Sequence, residues 1–224
     1  MGMTWDEVSG RVAALLQDGR DEEAWAAVDG AAGELETRWP APTAGFREVG
    51  RELYWTHRAL PEYVRLQREQ IRRLEAEPGP ERDVVVRLVG ALYDLASFTW
   101  PGWGHDVRAE HVELGAEAAD RALRLREDPA YAELQFTVTP GMAHWVVGAH
   151  ALATRDFERA RMELALSGDE TLSRGYLGLV DLAEAGDRSE LDAVLEELAA
   201  KDDEDSAFYR DQLVAASGAL VGTT

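Results

Sequence analysis

Five histidines are the residues best placed to do chemistry at neutral pH, since imidazole titrates there and also ligates metals. His105 and His111 are six residues apart, as are His144 and His150, and His57 stands alone. Six helical residues turn through about 600°, which leaves paired rings about 120° apart. A metal site on one helix face wants i, i+4 spacing, and neither pair has it. A catalytic or metal centre on His105 or His144 therefore needs tertiary convergence with other side chains, and an all-α enzyme or metal-binding protein of that kind is the alternative reading. The chain has no cysteine, which removes thiolate nucleophiles, disulfides and cysteine-based zinc sites together. There is no G-x-S-x-G elbow and no G-x-x-x-x-G-K-[ST] phosphate loop. The single lysine, Lys201, sits in an acidic run. Pairs of carboxylates mean little where 43 acids are available. The sequence thus reads as non-catalytic, with no metal ligands and no cofactor.

Charge narrows the partners. Forty-three acids against 23 bases give a formal charge of −20 over 224 residues. Such a surface repels phosphate backbones and anionic membranes, which argues against nucleic acid and membrane partners. The opening MGMTWDEVSG has neither the basic nor the apolar region of a signal peptide, and Asp6 stands where a myristoylation signal wants Ser or Thr. No apolar run approaches the ~20 residues that cross a bilayer. The expectation is a cytoplasmic protein.

The elements that would position these residues are helical. Val8, Val12, Leu15 and Leu16 follow helical spacing behind Thr4, a candidate N-cap. A break at 18–21 leads to a second stripe through Ala24, Trp25, Val28 and Ala31, stopped by Trp39-Pro40-Ala41-Pro42. Pro78-Gly79-Pro80 reads as a linker. The segment Leu134-Gln135-Phe136-Thr137-Val138-Thr139 alternates like a strand, but a lone strand has no partner, so a loop or helical turn is expected. Thr139-Pro140 then opens another helix as N-cap and first residue. The elements pair as hairpins over 4–38, 43–77, 81–128, 140–167 and 170–200, with a terminal helix over 204–217, about 10–11 helices in one domain.

The hairpins repeat. Residues 144–166, HWVVGAHALATRDFERARMELAL, read as two helices about a turn at Arg155-Asp156. Gly148 and Gly178 are 30 residues apart, and Asp156 and Asp187 are 31 apart. A glycine inside a helix costs ~1 kcal/mol relative to alanine unless close packing compensates. The span 141–174 resembles a tetratricopeptide repeat, with Val147, Gly148, Ala160 and Leu164 in consensus slots and His144 and Ser167 departing from them. Spans 5–38 and 43–76 match in part, through Val8, Leu15, Ala24, Val28 and Ala31 and through Phe46, Val49, Gly50 and Leu53. The resemblance implies an all-α fold of antiparallel hairpins stacked as a tetratricopeptide-like superhelix.

It also implies a concave groove, lined by the first helices, that holds a protein or peptide. The groove-facing slots are Arg47, Arg51, Tyr54, Trp55, Arg87, Asp94 and Trp145. The three arginines would suit an acidic partner, since guanidinium forks match carboxylates; the opposing reading pairs them with local carboxylates such as Glu48 and Glu52. The loop Trp100-Pro101-Gly102-Trp103-Gly104-His105 adds Trp100 and Trp103, either as a binding element or as anchors on neighbouring helices. In a third reading, the terminal helix or this loop buries against a second copy of the chain.

Overall fold

A computed structural model describes residues 3–36, 43–77, 82–168, 170–201 and 203–221. The expected stop at Trp39-Pro40-Ala41-Pro42 and the linker Pro78-Gly79-Pro80 lie outside them. The chain is all-α: eleven α-helices, two single 3-10 turns and no strand among the described residues. The strand-like segment, Leu134 to Thr139, is irregular backbone that follows a 3-10 turn, Pro129–Tyr131. None of the described helices is long and apolar enough to cross a membrane.

The helices group into two units, Met1–Ala91 and Leu92–Thr224, with the division inside a helix. The first unit holds α1 (Trp5–Gln17), α2 (Asp21–Glu34), α3 (Ala44–Trp55), α4 (Leu60–Ala76) and the start of α5 (Arg82–Thr99). The sequence expectations for α1 are met atom by atom. The Thr4 hydroxyl accepts from the Glu7 amide at 3.3 Å while the Glu7 carboxylate accepts from the Thr4 amide at 2.8 Å, a reciprocal capping box. Val8, Val12, Leu15 and Leu16 are buried. Helix α1 packs on α2, α3 and α4, and α3 packs on α4. The α3–α4 crossing is tight at Gly50, where a Cβ would lie 2.9 Å from the Gln67 amide nitrogen.

The second unit holds the end of α5, then α6 (Ala109–Glu127), α7 (Pro140–Ala153), α8 (Phe157–Leu166), α9 (Glu170–Ala185), α10 (Ser189–Ala199) and α11 (Glu204–Val221). Each of α6 to α11 packs on the next. Thr139 caps α7 by accepting from the Met142 amide at 3.2 Å, and Pro140 follows in the first turn. Asp156 caps α8 through the Arg159 amide at 3.2 Å. The two glycines marked by their spacing sit where helices cross. A Cβ on Gly148 would lie 2.7 Å from Leu164 of α8, and one on Gly178 would lie 2.6 Å from the Leu191 backbone nitrogen of α10. Close backbone approach therefore compensates the weak helix propensity of each glycine.

Candidate partner-binding surfaces

In the first unit, the side chains expected to face a partner fall into three environments. Tyr54 is fully buried, packed edge-on against Trp55 at 4.9 Å and Tyr63 at 5.4 Å between ring centroids; burial raises its pKa well above the ordinary tyrosine value. It belongs to the α3–α4 core rather than to an open wall, because its ring fills the space beside Tyr63. Trp55, the next residue, is 41% exposed, so this indole does face solvent. Arg47 is half-buried on α3. Arg51 is held by Glu52 at 2.8 Å and lies 3.8 Å from the buried Glu48. Arg87 is held by Glu77 through two contacts at 3.2 and 2.8 Å. The positive charge of both is thus balanced locally, in the manner of the opposing sequence reading. Two arginines of α4 behave likewise: Arg72 and Arg73 both bond Glu69, and Arg73 also reaches Asp29 of α2 at 2.8 Å. Arg72, then Arg73, hold the Glu69 carboxyl below its usual range despite the opposing effect of burial.

A cleft opens between α1 and α2, with a volume of about 380 Å³. Val8 and Ala31 are buried in its wall, while Ala26 and Gly30 of α2 are exposed. Nothing in the groove-based expectation pointed to it. The one signal in the sequence is the run of small residues along α2.

In the second unit, Asp94 is half-buried on α5. The tryptophan loop separates its two indoles. Trp100 is completely buried, and its ring lies 5.6 Å from that of Tyr176. Trp145 is also buried, edge-on to Tyr176 at 5.6 Å. Both therefore anchor the interior, and neither is available to a partner at the surface. The Tyr176 hydroxyl and the Trp100 and Trp145 indole nitrogens are buried without a hydrogen-bond partner among the described residues; burial raises the hydroxyl's pKa, against smaller opposing effects of Trp145, Gln212 and Trp100. Trp103 is half-buried; its N–H donates to the Ser97 carbonyl at 2.6 Å and its ring packs 5.4 Å from Phe208 of α11, itself 48% exposed. The sequence reading missed a second apolar surface. Met142 of α7 and Met162 and Leu166 of α8 are exposed, the last two at 56% each and one helical turn apart.

The histidines are engaged separately. His144 Nδ1 lies 2.7 Å from the buried Glu163 carboxylate and Nε2 lies 3.3 Å from Glu127, so carboxylates from α8 and α6 take both ring nitrogens. His150 is buried, donates from Nε2 to the Ala96 carbonyl at 2.9 Å and packs against Gly115 of α6. Burial drives its pKa down to about 4, against smaller opposing effects of the Ala96 and Val112 backbone and Asp120. In the first unit, His57 lies 3.1 Å from Asp6. Among the described residues, no three histidines or carboxylates are placed to hold a metal ion. The chain matches no protein-family model, no curated protein and no solved structure.

Proposed function

We propose that this chain is a non-catalytic protein- or peptide-interaction module built from tetratricopeptide-like helical hairpins. The observation that supports it best is the recurrence of one packing device. Gly50, Gly148 and Gly178 each lie inside the first helix of a hairpin, where side-chain or backbone atoms of the second helix crowd the place a Cβ would take. Hairpins closed in this way stack through one face and leave another uncovered. Contiguous uncovered apolar side chains mark interaction sites, and Met162 and Leu166, one turn apart on α8, are exposed side chains of that kind on a chain of charge −20.

The local pairing of Arg51 and Arg87 weakens the case for an acidic partner. The enzymatic alternative draws on His105 or His144; at His144 carboxylates face both ring nitrogens, which weakens its case as a proton carrier for a substrate. A cytoplasmic setting is part of the proposal and draws on the cysteine-free composition. The test is selection of a phage-displayed library of helical peptides on the immobilised chain. A shared motif whose synthetic peptide binds at micromolar concentration is the expected result. Failure of any motif to emerge, with the protein folded throughout, refutes the reading. Self-assembly instead of partner binding would appear as concentration-dependent sedimentation.

A further inference from the structure

We propose that the cleft between α1 and α2 receives a basic amphipathic helix of a partner protein. The inference rests on the interaction reading above and names the partner's chemistry. It starts from two glycines that the hairpin does not explain. Gly30 and Gly33 lie inside or at the end of α2, are exposed, and a Cβ on either would meet nothing within 4 Å. At Gly50, Gly148 and Gly178 a glycine makes room for a neighbouring helix; here, as at Gly218, no described neighbour needs the room. Ala26, Gly30 and Gly33 fall at i, i+4 and i+7, one face of α2. Small residues along a face let the axis of another helix come close. The adjoining cleft, about 380 Å³, is large enough for apolar side chains from that helix to enter.

The rim fixes the sign of the occupant. Glu7, Glu23 and Glu34 border the cleft with Arg11 as the one cation among the lining residues. Glu23 is shared with Arg20 at 2.6 Å, and Glu7 is held at the Thr4 cap. Glu34 has no ion-pair partner among the described residues. A second copy of this chain would set the same carboxylates against one another across a two-fold contact. An acidic peptide would meet the same repulsion. A helix with lysine or arginine flanking its apolar stripe meets neither difficulty, and the charge of −20 draws it in.

The probe is a fluorescein-labelled, 18-residue leucine–lysine peptide that forms an amphipathic helix, with a leucine–glutamate counterpart, read by anisotropy at physiological salt. Gly30→Trp fills the cleft without a clash at Cβ, and Gly30→Ala makes the same backbone change without filling it. The wild type is expected to bind the lysine peptide and not the glutamate peptide. Gly30→Trp should weaken binding at least about tenfold, with circular dichroism unchanged, while Gly30→Ala should not weaken it. Removing rim charge by Glu7→Gln with Glu34→Gln should weaken binding more than the equal charge change Glu113→Gln with Glu117→Gln on α6. Undiminished binding by Gly30→Trp overturns the assignment of the cleft and leaves the interaction reading standing. A dimer that Gly30→Trp dissociates overturns it in favour of a second copy. No binding of the lysine peptide by the wild type overturns the inference, and if the library selection is also empty the wider reading falls with it.

Discussion

His150 makes the stability of this protein depend on pH in a window where few other groups titrate. Its ring is 1% exposed, and Nε2 must carry the proton because a carbonyl, that of Ala96, faces it at 2.9 Å. A second proton would therefore land on Nδ1, which has no hydrogen-bond partner. Burial lowers the folded-state pKa to about 4 from an unfolded value of 6.5. For a base with a depressed folded pKa, the unfolded chain binds the proton first as pH falls. Stability is complete above pH 6.5 and declines steadily down to about pH 4. The full span corresponds to about 3 kcal/mol, and the step from pH 7 to pH 5 to about 2 kcal/mol. That step ends above the range in which most carboxylates protonate. The assay is urea unfolding at pH 7 and pH 5 for the wild type and for His150→Gln, whose amide nitrogen can still donate to Ala96 but cannot titrate. Contributions of all other titrating groups are common to both proteins and cancel in the comparison. The variant should lose less stability than the wild type over this step, by about 2 kcal/mol. Equal losses in the two proteins, or a folded-state His150 imidazole that titrates near 6.5 by NMR, would refute the reasoning.

Further outcomes follow from packing. Gly178→Ala places a methyl 2.6 Å from the Leu191 backbone nitrogen, so α9 and α10 must separate, at a cost of about 1–3 kcal/mol measured by thermal or urea unfolding. Gly30→Ala meets nothing and should stabilise the protein by about 1 kcal/mol through helix propensity alone. Tyr176→Phe removes a buried hydroxyl with no formal hydrogen bond, and should change stability by less than about 1 kcal/mol; a larger loss would show that the contacts from Trp100, Trp145 and Gln212 are strong.

What could be read in advance was local. The Thr4 and Thr139 caps depend on residues within one helical turn, so the local sequence alone placed them. The spacing of Gly148 and Gly178 revealed two helix crossings because each crossing recurs in the same register of its hairpin. The fates of Trp100 and Trp103 were not legible from a six-residue loop. They depend on Tyr176 and Phe208, which lie far along the chain. The same distinction applies to the arginines. Arg51 pairs with Glu48 and Glu52 on its own helix, as the spacing allowed. Arg65 bonds Asp21 and Arg73 bonds Asp29, each across 44 residues, and no periodicity in α4 announces those acids. The α1–α2 cleft is of the second kind, since its depth depends on how two helices diverge.

The glycines separate what the fold requires from what it leaves over. At Gly148 and Gly178 a side chain would press on Leu164 and on the Leu191 backbone, and each glycine is repaid by helix contact within its own hairpin. At Gly30 and Gly33 a side chain would stand in open space, so the weaker helix gains nothing from internal packing. Small residues that the fold does not use are free to serve a surface contact. Ala26 continues their row at the mouth of a cleft bordered by Glu7, Glu23 and Glu34. Shape and charge thus select the same face of the first hairpin, whereas Arg51 and Arg87, each neutralised by a near neighbour, present little net charge to an incoming chain.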